Sequence, residues 1–169
     1  MRIDLLRNLG FAAFLALLLL SCSKPTHWAF DQVHSNQKQF RSTKLTYRCR
    51  DPARGLDLEL LQTAEHLHVY LNVHSIPVPP HKEDPHKVPL TLEISGETIH
   101  ASAYRLKGGQ RFLLPDEIAE RVIEAFHNQQ EVSMALPFYH TLFKPEDFPA
   151  KFHKLTHPFP FDNPFKLPV

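Results

Sequence analysis

Between Leu45 and Leu106 the chain repeats one pattern: apolar and polar residues alternate in short runs separated by polar turns. In "LDLELLQ", Leu56, Leu58 and Leu60 fall on one side of an extended chain, with Asp57 and Glu59 on the other. "HLHVYLNVH" sets Leu67, Val69, Leu71 and Val73 against His68, Tyr70, Asn72 and His74. "VPLTLEI" repeats the rhythm with Val88, Leu90, Leu92 and Ile94. Period two is what a strand with one dry and one wet face requires, and a helix cannot satisfy it. Each run keeps a polar face, so the sheet is expected to be antiparallel. Strands buried on both faces would read as unbroken apolar runs.

Two further runs complete the expectation. "LTYRC" places Leu45, Tyr47 and Cys49 on one face, and "TIHASAYRL" ends at the turn Lys107-Gly108-Gly109. Pro52 and Gly55 break "DPARG", a hairpin is expected near Thr63-Ala64-Glu65, and Ser95-Gly96-Glu97 reads as a tight turn. The register then changes. In "LLPDEIAERVIEAFHNQQ", Ile118, Val122 and Phe126, joined by Ala119, Ile123 and Ala125, share one face at helical spacing. Pro115, Asp116 and Glu117 are first-turn residues that suit the positive end of the helix dipole. A strand is expected at "EVSMAL", then a short helical turn in "KPEDFPAKFHKL" with Phe148, Phe152 and Leu155 on one side. The fold class is therefore α+β: mainly antiparallel β sheet or sandwich, one amphipathic helix over 115–128, and a short C-terminal helical turn.

The chain of 169 residues suits one domain. Fifteen prolines against five glycines is unusual, and the prolines cluster in two segments. With 19 basic and 18 acidic residues there is no cationic field to hold a phosphate backbone, which argues against nucleic acid as a partner.

The first residues divide into three parts: Arg2 and Arg7, a twelve-residue apolar run from Leu9 to Leu20, and Ser21-Cys22. A bilayer-spanning helix needs about 20 apolar residues, so the run has the length of a signal-peptide core. Leu19-Leu20-Ser21-Cys22 resembles the lipobox of bacterial lipoproteins: Leu, a small or aliphatic residue, a small residue, then Cys. The resemblance implies diacylglycerol on the sulfur of Cys22, cleavage before it and an N-acyl chain on the freed amine. Several acyl chains on one residue make membrane residence stable where one would not. Ser23, in place of the aspartate that retains lipoproteins at the inner membrane, implies the outer membrane. The alternative is an ordinary secretory signal cut near Ser21.

The expected organisation is a signal peptide over 1–21, a lipidated cysteine and tether over 22–40, a single β-rich domain over 41–155, and a Pro/Phe-rich tail over 156–169. Trp28, Phe30 and Phe40 are rings in the tether that could dock on the domain. With Cys22 lipidated, Cys49 has no partner for an intrachain disulfide. It reads as a buried strand residue, or as half of a Cys–His nucleophilic pair.

Residues 109–155, "GQRFLLPDEIAERVIEAFHNQQEVSMALPFYHTLFKPEDFPAKFHKL", resemble the invasion-associated locus B family of small exported β-rich domains. There, a hydrophobic Leu-Pro precedes a helix, a strand follows, and a Phe-containing segment ends the domain. The resemblance covers under a third of the chain, which departs from the family in lacking its paired cysteines.

Twelve histidines stand out, most densely at His66, His68 and His74, followed by His81 and His86. His66 and His68 point to the same side of a strand. A third imidazole, such as His100 from a neighbouring strand, would complete a zinc or copper site with one open position. The plainer reading is a solvated face opposite Leu67, Val69 and Leu71. The sequence holds no Gly-x-Ser-x-Gly, no His-Glu-x-x-His and no phosphate-cradling glycine loop. An enzyme whose site assembles from scattered residues stays open as a reading, with no catalytic residue singled out.

Two segments read as contact surfaces. "IPVPPHKEDPHKVP" sets Pro79 and Pro80 in a stiff interstrand connection suited to recognition at low entropic cost, or to rigid joining alone. The tail places Phe159, Phe161 and Phe165 between prolines, either packed back or offered to a partner. The expectation for function is a membrane-anchored envelope lipoprotein acting as a binding or assembly module for another envelope protein. A metal-binding lipoprotein using His66, His68, His74 and His100 and an envelope enzyme are the alternatives.

Overall fold

The computed structural model describes residues 27–33, 41–51 and 53–157. Residues 1–21, Cys22 and the tail rings Phe159, Phe161 and Phe165 lie outside the described residues. Nine strands are β1 (Trp28–Val33), β2 (Ser42–Tyr47), β3 (Asp57–Gln62), β4 (Leu67–Asn72), β5 (Lys87–Ile94), β6 (Glu97–Arg105), β7 (Arg111–Leu113), β8 (Val132–Leu136) and β9 (Tyr139–Phe143). The helices are α1 (Asp116–His127) and α2 (Phe148–Thr156).

All nine strands join one sheet in the order β1-β2-β3-β4-β7-β6-β5-β8-β9, and every pairing is antiparallel. The first four form a meander. A long connection then carries the chain past two strand positions, and two hairpins return it so that β7 closes against β4. The Ser95-Gly96 loop between β5 and β6 has two residues, with φ of 51° and 84°. This is the primed-turn geometry that matches strand twist.

The expected alternation sets the register. Leu58, Leu60, Val69, Leu71, Val88, Leu90 and Leu92 all point into one buried cluster. The sheet curls until its last strand meets its first three. Leu56 N–H donates to Thr141 Oγ1 at 2.7 Å, His140 N–H to the Arg54 carbonyl at 3.1 Å, and Trp28 Nε1–H to the Lys144 carbonyl at 3.0 Å. Scattered bonds, rather than a ladder, join these edges, so the sheet resembles an incomplete barrel.

The helices close the concave side. α1 buries Ala119, Val122, Ala125 and Phe126 and packs against β4 and β8. Its end is tied by Gln129 N–H to Phe126 and Gln130 N–H to Ala125, with Gln129 in the left-handed region. That pattern satisfies the last carbonyls of the helix. α2 buries Phe148 and Leu155 and lies on β1 and β2, where Thr43 Oγ1 donates to the Leu155 carbonyl at 2.8 Å.

Three strands go beyond the five-strand expectation and the strand expected at 132–136. β7 and β9 are short, and β1 lies inside the segment that reads as tether. The physical reason for β1 is Trp28, which is 1% exposed. Its ring meets Tyr47, Phe126 and Phe148 at centroid distances of 5.1, 5.4 and 4.9 Å. Residues 28–33, inside the span expected as tether, are therefore part of the sheet. Cys49 is also displaced from its expected place. It lies past the end of β2, half-buried, with Sγ donating to the Asp51 carbonyl at 3.2 Å.

Candidate functional site

Two grooves flank Cys49, one on the outer face of the sheet and one along the seam where the edges meet. The outer groove, about 610 Å³, is lined by Lys44, Thr46, Arg48, Asp57, Glu59, Asn72, His74 and Arg111 among others. Period two makes it. Asp57 and Glu59 project outward from β3, opposite Asn72 and Tyr70 of β4, and Arg111 is brought opposite Asn72 when β7 pairs with β4.

Both carboxylates are largely covered, with side chains 12% and 14% exposed. Each is compensated, as buried charge must be. Arg111 donates to Glu59 Oε1 at 2.5 Å, while its guanidinium lies 3.9 Å from the centre of the Tyr70 ring. That stacking leaves Arg111 Nε buried with no hydrogen-bond partner among the described residues. Asp57 accepts from the Cys49 N–H at 2.9 Å through Oδ1 and from His74 Nε2 at 2.8 Å through Oδ2. With the acids paired internally, Arg48 and Lys44, the latter 3.9 Å from Asp31, stand at the rim, and the groove can offer cationic donors to an anionic or mixed-charge ligand.

The thiol beside it is a poor nucleophile. Burial, and then the hydrogen bond and negative charge of Asp57, push Cys49 up to about 11. Gly55 is the reason the loop can fold this tightly: a Cβ there would stand 2.3 Å from Cys49 Sγ and 2.4 Å from the Asp51 carbonyl.

The seam groove, about 540 Å³, is lined by His27, Tyr47, Arg50, Asp51, His140, Leu142, Lys144 and Glu146 among others. His27 is its fixed point. Its ring stacks on Tyr47 at 5.0 Å, its N–H donates to Glu146 Oε2 at 3.1 Å, and Nδ1 donates to Oε1 at 2.8 Å. Arg50 Nε donates to His27 Nε2 at 3.0 Å, which places the ring proton on Nδ1, facing the carboxylate. Burial alone would raise the Glu146 carboxyl, but the two His27 hydrogen bonds, together with the nearby charges of His27 and Lys144, hold it below the usual range.

The histidines singled out by sequence are dispersed. His66 and His68 lie side by side on the outer face, ring centres 5.8 Å apart. His74 is committed to Asp57. His100 stands opposite Thr91 on β5, outside the stretch of β6 that β7 links to β4. Among the described residues no group of three or more His, Cys, Asp or Glu is arranged to hold a metal ion.

The proline connection is fixed at both ends. Val78 is buried, its N–H donates to the Gly109 carbonyl at 2.8 Å, and its own carbonyl accepts from Arg105 Nε at 3.0 Å. Further along, His81 N–H donates to the Lys87 carbonyl at 3.2 Å. Pro79 and Pro80 are exposed between these ties.

Sequence reasoning placed Asp57, Glu59 and His74 on the correct face but did not foresee their partners. The pairings span 17 residues for His74–Asp57, 52 for Arg111–Glu59 and 119 for His27–Glu146. The one local signal was that Asp57 and Glu59 share the polar side of a strand. Comparisons of the chain with protein-family models, curated proteins and solved structures gave no match.

Proposed function

We propose that this protein is a lipid-anchored lipoprotein of the bacterial envelope, held in the outer membrane through Cys22, and that it acts as a binding or assembly module for another envelope protein. The observation that carries this reading is Leu19-Leu20-Ser21-Cys22 at the end of a twelve-residue apolar run. A leader that stops at a cysteine supplies the acyl attachment point that stable anchoring needs.

The binding role draws its support from the proline connection. Pro79 and Pro80 stand exposed on a backbone tied at Val78 and at His81. A surface already ordered before contact loses little entropy when a partner settles on it.

A photocrosslinking residue in place of Pro80, in the full-length protein in its own envelope, tests this reading. A discrete adduct is expected, absent when the crosslinker replaces Ser102 on the outward face of β6. The same diffuse pattern from both positions would remove the support for recognition through the proline connection.

A further inference from the structure

We propose that the domain rests directly on the bilayer, with the seam groove and the outward row of β9 against anionic lipid headgroups. This deepens the proposed lipid anchoring and rests on it. The argument begins with the length of chain between the lipid and the fold. Only Ser23, Lys24, Pro25 and Thr26 separate Cys22 from His27. Fully extended, these five steps span at most about 18 Å. His27 is no loose end. Glu146, Arg50 and Tyr47 hold its side chain, and Arg48 N–H donates to its carbonyl at 3.1 Å. A compact domain of this size is roughly 35 Å across. The link therefore cannot bring the far side of the molecule to the membrane, and the His27 side must face it.

That side has membrane-surface chemistry. Phe138, His140, Leu142 and Lys144 are exposed along one row of the edge strand, Phe138 at 79% and Leu142 at 46%. Ile76, 74% exposed, is joined to the same edge because its N–H and carbonyl both bond the Tyr139 hydroxyl. Beside the row, with Lys144, lie Arg50 and Arg54.

Three acids lie near them, and each has a partner. Asp51 accepts from the Ala53 and Arg54 N–H groups, Glu146 holds His27, and Glu131 stands 4.0 Å from Lys144. Arg50 is itself engaged by His27 at 3.0 Å, so the exposed Arg54 and Lys144 are the cations this side offers to headgroups. Apolar side chains rimmed by cations are what a surface-lying, non-spanning contact with anionic lipid uses.

The test uses the lipidated full-length product with Cys49→Ala, so that an introduced cysteine is the one free thiol. A fluorophore is placed by Leu142→Cys or, in case that variant folds poorly, by Phe138→Cys, with Ser102→Cys on the outward face of β6 as control. Proteins are reconstituted in phosphatidylcholine vesicles with or without phosphatidylglycerol, and nitroxide-headgroup lipids serve as quenchers. Quenching is expected to be several-fold stronger at 142 than at 102, and to need phosphatidylglycerol. Each cation near such a surface contributes about fivefold, so Arg54→Gln with Lys144→Gln should lower the docked-to-undocked ratio roughly 25-fold.

Equal quenching at 142 and 102 on a protein whose mass shows a lipidated Cys22 would overturn the docked orientation alone. Shielding of position 142 in native envelopes but not in vesicles would assign that row to a protein partner and overturn it too. An unlipidated Cys22 would overturn the anchoring itself.

Discussion

At the scale of single residues, Cys49 links the two grooves, and its environment ties thiol chemistry to stability. Its backbone N–H is bound by Asp57, its Sγ bonds the Asp51 carbonyl, and Gly55 leaves room for it. Covered and next to a carboxylate, the thiol is pushed from 9.0 up to about 11. The folded state thus holds this proton more tightly than the unfolded chain does. Stability from it is complete below the ordinary thiol range and is lost as pH climbs through the window up to about 11. Burial raises the Tyr47 phenol as well, so part of the alkaline loss belongs to Tyr47. Urea midpoints measured across this window should fall for the wild-type protein and fall less for Cys49→Ala. Identical pH profiles would mean that Cys49 does not titrate differently on folding.

At the scale of elements, β1 decides where the domain begins. It is an edge strand whose inward residues are Trp28, Phe30 and Gln32, so on local pattern it is weak. Its place comes from contacts 98 to 120 residues away, with Phe126, Phe148 and the Lys144 carbonyl. Trp28→Ala empties the centre of this aromatic cluster and should cost about 3–5 kcal/mol. Circular dichroism is the probe to follow in urea, since Trp28 is the chain's single tryptophan. A loss below about 1 kcal/mol, the scale of a surface change, would show that β1 is not part of the cooperative fold.

The same distinction separates what the sequence made legible from what it hid. β3, β4 and β5 alternate cleanly because each buries alternate apolar residues, whereas β6 buries only Ala103 and is legible mainly from the turns that bound it. α1 is legible from Ile118, Val122 and Phe126 at helical spacing. β7 is three residues long and exists because β4 and β6 bracket it. β9 follows a turn in which the bulky Phe138 takes a φ of 73°, a conformation no propensity would assign to it. The ion pairs of the grooves were equally out of reach, since they depend on which strands become neighbours.

At the scale of the whole molecule, the placement of β1 changes what an anchor at Cys22 would do. A tether running from 22 to 40 would let the domain range well above the membrane. With β1 in the sheet, five residue steps remain between Cys22 and His27, and an anchored domain would be moored by its edge. Among the described residues no helix is long and apolar enough to cross a membrane. The proposed attachment is through Cys22, and the orientation proposed for the seam depends on it.

Mass spectrometry of the N-terminal peptide, from protein isolated out of its own membranes, addresses that dependence most directly. The expected result is a peptide that begins at Cys22 and carries diacylglycerol, with an additional acyl chain on its amine. A free Cys22 thiol, or a peptide that still includes residues 1–21, would contradict the account.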